Sequence, residues 1–289
     1  MSRIATRSFP VYTLALAAAL GCTPREQQAG EQPAAPEGPN VVEIVATEYQ
    51  FQMPDTLPSG PTTFRLVGQG VEPHHATVIR IDSGKTMADV ETALRGSEPP
   101  TWVVPVGGPN PPPPGGGIAE TTMTLQPGNY MVMCFIPAPD GMPHVAKGMM
   151  KAVTVIPSDV QRSLPTADVT IVLRDYAFET TPALTAGRHV IRVVTEAEQP
   201  HEVALVKLEA GKTAQDFIAA AEAMEKGKAP AGPPPGVFMG GVAGLARGTD
   251  NYVTVDLTPG EYALICFIGD AKDKRPHYLH GMVQQITVM

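Results

Sequence analysis

The chain repeats itself. VEIVATEYQF from Val42 aligns without a gap on VTIVLRDYAF from Val169, and the same register carries Leu57 onto Leu184, Gly60 onto Gly187, Pro73-His74 onto Pro200-His201 and Gly84-Lys85-Thr86 onto Gly211-Lys212-Thr213. The offset is 127 residues throughout (169 − 42; 201 − 74), rising to 132 between Cys134 and Cys266 and to 133 between His144 and His277. Two successive copies of one unit are therefore expected, with five extra residues in the variable middle of the second and one more between its Cys and His. The 289 residues suffice for two ordinary domains. Their expected extents are 41–157 and 168–289, joined by a linker over 158–167.

Within each copy the periodicity is that of strands. Val42, Ile44 and Ala46 alternate with polar residues, as do Val169, Ile171 and Leu173. Further strands are expected at Thr62–Val67, Ala76–Ile81, Thr121–Leu125, Tyr130–Phe135 and Ala152–Ile156, and at His189–Val194, Val203–Leu208, Tyr252–Leu257, Tyr262–Phe267 and Gln284–Val288. Short strands punctuated by 31 Pro and 28 Gly predict an all-β chain of antiparallel sandwiches. Met87, Val90 and Leu94 after Thr86, and Phe217, Ala221 and Met224 after Thr213, predict one short helical insertion per copy. The Gly-Lys-Thr tripeptides are not phosphate loops, because Ile79 and Val206 stand where the first Gly would be needed. The Pro/Gly-rich stretches Val104–Gly117 and Ala229–Gly244 read as solvated surface connections.

The N-terminus carries an address. Arg3 and Arg7 precede an apolar run from Val11 to Leu20, long enough for the core of an export signal and too short to span a bilayer. The sequence Ala19-Leu20-Gly21-Cys22 resembles the lipobox of bacterial lipoproteins, which implies removal of residues 1–21 and lipidation of Cys22. Residues 22–40, rich in Pro, Gln, Glu and Ala, read as a flexible tether. The expected location is the bacterial cell envelope, lipid-anchored, facing the periplasm or the cell exterior. A formal charge of −8 leaves no basic field for nucleic acid.

The chemistry sits in two stretches, GNYMVMCFIPAPDGMPHVAKGMMKAVTV from Gly128 and GEYALICFIGDAKDKRPHYLHGMVQQITV from Gly260. Each places a Cys at the end of a strand, then a His, then Gly-Met at the start of the next. Cys134 and Cys266 lie in separate copies, so a disulfide between them is not expected. An unpaired thiol in an oxidising compartment is accounted for if a cation holds it as thiolate. His74, His144, His201 and His277 fall on matching positions of the two copies. Thiolate, imidazole and thioether together are the donors that select copper. His189 reads as structural; His75 and His280 are kept as substitutes.

At these residues each copy resembles a cupredoxin, a type 1 copper domain of the plastocyanin, azurin and nitrite reductase kind. Pro-His at 73–74 and 200–201, Gly-x-Tyr-x-x-x-Cys at 128–134 and 260–266, and His-x4-Met at 144–149 and 277–282 carry the likeness. The resemblance implies two tandem Greek-key sandwiches and one type 1 copper per copy. Copper would be held by His74, Cys134, His144 and Met149, and by His201, Cys266, His277 and Met282. The chain departs from the family at His75 and Glu202, where Asn is usual, and in its ligand loops, with nine residues between Cys134 and His144 and ten between Cys266 and His277.

The function implied is a membrane-tethered electron-transfer protein. No His-x-His pair is present, so neither an enzyme nor a small-molecule substrate is expected. A redox protein is expected to dock at the apolar first loop (Phe135, Ile136, Pro137, Pro139, Met142), while the charged second loop (Asp270, Lys272, Asp273, Lys274, Arg275) faces solvent or a charged partner. Copper storage, delivery or resistance, and a copper-free binding module, are the alternatives.

Overall fold

Alternation of Val42, Ile44 and Ala46 with more exposed neighbours becomes β1 (Asn40–Thr47), in which these three side chains are buried. The first copy continues with β2 (Gln50–Gln52), β3 (Thr56–Pro58), β4 (Gly60–Gly68), β5 (Thr77–Ile81), helix α1 (Met87–Ala93), β6 (Val103–Gly107), β7 (Ile118–Leu125), β8 (Gly128–Met133) and β9 (Met150–Ile156). The second has β10 (Val169–Arg174), β11 (Ala177–Thr181), β12 (Gly187–Thr195), β13 (His201–Leu208), helix α2 (Ala214–Glu225), β14 (Gly236–Leu245), β15 (Asp250–Leu257), β16 (Gly260–Ile265) and β17 (Val283–Val288). This computed structural model describes residue 10 and residues 38–289 except 83, 94, 95, 97–99 and 229–231. The expected export signal, Cys22, the tether up to residue 37 and the helical position Leu94 lie outside the described residues.

The chain is all-β, with one helical insertion per copy. Each copy has its own main core, one around Phe64, Leu66, Met123, Val132 and Cys134, the other around Leu173, Val193, Leu205, Leu264 and Cys266. The sandwiches are mixed rather than purely antiparallel. β1 runs parallel to β4, β10 to β12, and β3 to β9, because the hairpins β1–β2 and β10–β11 bring a first strand back beside a later one.

Both sheets run through both copies. One has the order β11-β10-β12-β15-β7-β4-β1-β2, the other β17-β16-β13-β14-β6-β5-β8-β9-β3. Apart from β3, each order is a palindrome of equivalent strands, so the copies meet about a local two-fold at the antiparallel contacts β15–β7 and β14–β6.

That meeting place overturns the reading of the Pro/Gly-rich stretches as surface connections. Gly107 to Pro112 are all buried, and β14 occupies most of the second stretch. The Asn110 amide donates to the Gly241 carbonyl and the Gly240 amide to Pro111, while the Asn110 side chain donates to the Val203 and Val242 carbonyls at 3.1 and 3.0 Å. Glycine is required by close approach. A Cβ on Gly108 would lie 2.1 Å from the Ala76 carbonyl oxygen, and one on Gly241 2.0 Å from that of Val203. Both have left-handed backbone, φ 112° and 115°.

The repeated Gly-Lys-Thr tripeptides turn with Gly84 and Gly211 at positive φ and then cap the helices. The Thr213 hydroxyl accepts from the Asp216 amide while the Asp216 carboxylate accepts from the Thr213 amide, and Thr86 and Asp89 do the same.

Gly108→Ala and Gly241→Ala are expected to cost more than about 3 kcal/mol each, since the obstructing atoms are backbone. Gly115→Ala, at positive φ in open space, is expected to cost only about 1 kcal/mol. Urea unfolding of the three variants measures the difference.

Candidate metal centres

The tyrosine four residues before each cysteine sets the stage. The Tyr130 hydroxyl accepts from the Gln126 amide and donates to the Gln126 carbonyl, at 3.1 and 2.9 Å, and Tyr262 does the same with Thr258 at 3.2 and 2.9 Å. In a strand, positions four apart share a face, so Cys134 and Cys266 point inward like their tyrosines and are fully buried.

A backbone frame then folds the following loop onto the cysteine. The Cys134 amide donates to Met149, and its carbonyl accepts from Val145; His144 donates to Ile136 and Met149 to His144. The second copy repeats every bond: Cys266 to Met282, Tyr278 to Cys266, His277 to Ile268, Met282 to His277. A short 3-10 turn, His144–Lys147 or His277–His280, ends at Gly148 or Gly281 with φ 98° or 103°. The extra residue of the second loop lies beyond this frame, outward of the bridges Pro137↔Pro143 and Gly269↔Pro276. Loop length therefore leaves the backbone frame unchanged.

Three donors converge in each copy. In the first, His74 Nδ1 lies 3.0 Å from His144 Nδ1, and Cys134 Sγ lies 3.3 Å from His144 Nδ1. In the second, His201 Nδ1 to His277 Nδ1 is 2.9 Å, and Cys266 Sγ is 3.3 Å from His277 Nδ1 and 4.0 Å from His201 Nδ1. Metal–nitrogen bonds of about 2.0 Å give a tetrahedron edge of about 3.3 Å, within this range. Met149 and Met282 are fully buried in the same cores as the cysteines. Six of the eight residues singled out in the sequence thus make up these two clusters.

The electrostatics suit a cation. Burial lowers all four imidazoles, His74 and His277 to about 4, so each is neutral at pH 7 and has a ring-nitrogen lone pair that a metal could take. Burial pushes the Cys134 thiol up to about 12 and Cys266 well above its usual range. A metal ion that claims the sulfur must therefore displace a proton. His74 Nε2 and His277 Nε2 are buried with no hydrogen-bond partner.

The outer partners differ between copies. His144 Nε2 is 2.8 Å from Glu72 Oε2 in the first copy, whereas in the second it is the other imidazole, His201, whose Nε2 meets Asp175 Oδ1 at 2.9 Å. The residue equivalent to Glu72 is Gln199, and the loop itself supplies an anion, Asp270, 3.8 Å from His277 Nε2. Asp270 accepts from the Tyr176 hydroxyl, the Gln199 side chain and the Lys272 and Asp273 amides; the Tyr176 bond, first among these, holds its carboxyl well below the usual range. It acts as the staple of the longer loop.

His75 and Glu202 are not ligands. His75 Nε2 accepts from the Phe135 amide at 2.8 Å and Glu202 Oε1 from the Phe267 amide at 2.9 Å. The hydrogen bond that the missing Asn put in question is thus made by other side chains. His280 contacts Asp273 and His189 contacts Asp168, both apart from the cysteines. Sequence reasoning missed Tyr49 and Tyr176, whose rings lie edge-on to His144 and His277 at 5.2 and 5.5 Å between centroids. An acid-Tyr pair, Glu48-Tyr49 and Asp175-Tyr176, recurs at the duplication offset and could have flagged them.

Between the copies lies a largely apolar cavity of about 1490 Å³, bordered by Phe135 and Ile136 after the first cysteine and by Phe267 and Ile268 after the second.

No family model and no curated protein matches the chain. Among solved structures it is similar to a dithionite-reduced auracyanin from the photosynthetic bacterium Roseiflexus castenholzii, 24% identical over 42% of this chain and 99% of that one, TM-score 0.30. A multicopper oxidase is 12% identical over 86% of this chain and 88% of its own, TM-score 0.25. A copper-containing nitrite reductase from Thermus scotoductus is 11% identical over 88% and 62%, TM-score 0.23. The fold and the clusters rest on the chain's own strands and side chains. The exclusion of an enzyme is corrected: oxidases and a reductase are among the structures matched along both copies. The physical reason is that a buried His–Cys–His group passes electrons in carriers and in oxidases alike, so a missing His-x-His pair does not separate them.

Burial raises the Glu202 carboxyl to about 7. Its folded pKa lies above the unfolded one, so the folded state holds more protons and stability falls as pH rises from about 4.5 through 7. Glu202→Gln keeps the acceptor for the Phe267 amide and removes that slope, with a gain of up to about 3 kcal/mol above pH 7. Melting curves between pH 4.5 and 8 measure it.

Proposed function

We propose that the chain is a copper-binding electron-transfer protein with one type 1 copper in each copy. His74, Cys134, His144 and Met149 would hold the first ion, and His201, Cys266, His277 and Met282 the second. The observation that carries this reading is the convergence of two imidazole Nδ1 atoms and one sulfur, all buried, in both copies. Thiolate and imidazole donors with a weak thioether are those of an electron-transfer copper site. Bound copper would supply a one-electron redox couple; the protein's part is to hold the donors in place before the metal arrives and to keep water away.

Further parts of the reading extend beyond the clusters. The N-terminal signal and Cys22 support export and lipid anchoring at the cell envelope. Phe135 and Met142, 41% and 48% exposed on the first loop, offer a redox partner an apolar contact. The cavity favours a second reading, in which the chain itself oxidises an apolar organic donor. Its borders include both Cys-following loops, so a donor held there would pass one electron to each Cu(II), release its protons to solvent and leave two Cu(I) to be reoxidised by a separate one-electron acceptor protein.

Adding Cu(II) to the mature chain is expected to produce an intense thiolate-to-copper absorption, about halved in Cys134→Ser or Cys266→Ser and absent from the double variant. A chain that stays colourless and binds no copper overturns the proposal. Calorimetric titration in two buffers of different ionisation enthalpy is expected to show about one proton released per copper, with affinity rising about tenfold per pH unit while the thiol is protonated.

A further inference from the structure

In each copy a tyrosine stands where the loop imidazole would otherwise meet solvent. Tyr49 and Tyr176 sit at the tips of the hairpins β1–β2 and β10–β11, 127 residues apart (176 − 49). Both adopt left-handed backbone, φ 62° and 63°. A bulky side chain is strained there, and Gly or Asn would be the relaxed choice. Strain kept twice at equivalent positions points to a use for the side chain.

The use is visible in the contacts. Each ring lies edge-on to its loop imidazole, at 63° for His144 and 73° for His277. The Tyr49 hydroxyl donates to Glu72 at 3.2 Å and the Tyr176 hydroxyl to Asp270 at 2.6 Å, so the acid near the imidazole also fixes the ring. Lys147 Nζ lies 5.1 Å from the centroid of the Tyr49 ring, and the His280 and Tyr176 ring centroids are 5.0 Å apart. The outcome is that His144 and His277 are 0% exposed while the tyrosines are half-buried.

We propose that Tyr49 and Tyr176 are caps, positioning residues that close the loop imidazole to solvent and fix its ring plane. An electron entering or leaving either centre then crosses a tyrosine layer instead of a bare histidine edge. Only this electron-transfer consequence rests on the copper reading; the closure belongs to the metal-free chain as well.

The test labels the folded, metal-free chain with diethylpyrocarbonate and reads each histidine by peptide mass spectrometry. His144 and His277 are expected to react at least about tenfold more slowly than His280, whose side chain is 25% exposed. Tyr49→Gly removes the ring and relieves the backbone, and is expected to raise His144 labelling by about that factor while His277 stays slow. Tyr176→Gly does the reverse, and Tyr49→Phe, which keeps the ring, stays within about twofold of wild type. Equal labelling of His144 and His280 in the wild type, or a slow His144 in a Tyr49→Gly chain whose melting curve shows it folded, overturns the cap. In the copper-loaded chain, exchange with hexacyanoferrate is expected to quicken in Tyr49→Gly and not in Tyr49→Phe; unchanged exchange in both overturns the electron route. Protection and release of labelling in a chain that binds no copper upholds the cap and sinks the copper reading.

Discussion

Two neutral imidazoles face each other across about 3 Å in the interior of each copy, with a protonated sulfur beside them. One hydrogen bond between the rings satisfies part of this group, yet His74 Nε2 and His277 Nε2 remain without a hydrogen-bond partner. Burying so many polar atoms works against folding unless something binds them. The surrounding structure is arranged so that they stay together: an inward strand face for the cysteine, a closed backbone frame for the loop, and a neighbouring amide held by His75 or Glu202. Stability is given up at the site and recovered in the cores around it.

The two centres share donors and differ in what stands behind them. A carboxylate on the far nitrogen of a ligating imidazole increases its electron donation and orients the ring. In the first copy that carboxylate serves the loop imidazole, and in the second the imidazole that opens β13. The second copy has Gln199 in place of Glu72, and Asp175, the counterpart of a Glu48 that accepts from the Val71 amide, takes the other imidazole, so one ligand set is held in two electrostatic surroundings.

Much of this was legible in the sequence because two periodicities coincide, alternation along each strand and the 127-residue offset between copies. Val42 and Ile44 obey both, while Cys134 and His144 stand out by their partners 132 and 133 residues on. The strands β6 and β14 were hidden because Gly107-Gly108 and Gly240-Gly241 signal a loop when read locally; the need for glycine at Gly108 and Gly241 arises only where two backbones cross. Glu72 and Asp175 could not be assigned, since they come from inequivalent positions and act on inequivalent imidazoles. The tyrosine caps are marked in the sequence only by the recurrence of an acid-Tyr pair at 48–49 and 175–176, because nothing in a residue's identity announces a left-handed backbone.

The palindromic strand order has a consequence of its own. β6 meets its counterpart β14, and β7 meets β15, so the contact between the copies is isologous, as in a symmetric dimer of identical subunits. A single copy carries edges complementary to themselves, and alone it would expose two unpaired strand margins. The segment between Ile156 and Val169 holds each margin at high effective concentration near its mate. Covalent continuity here takes the place of subunit assembly.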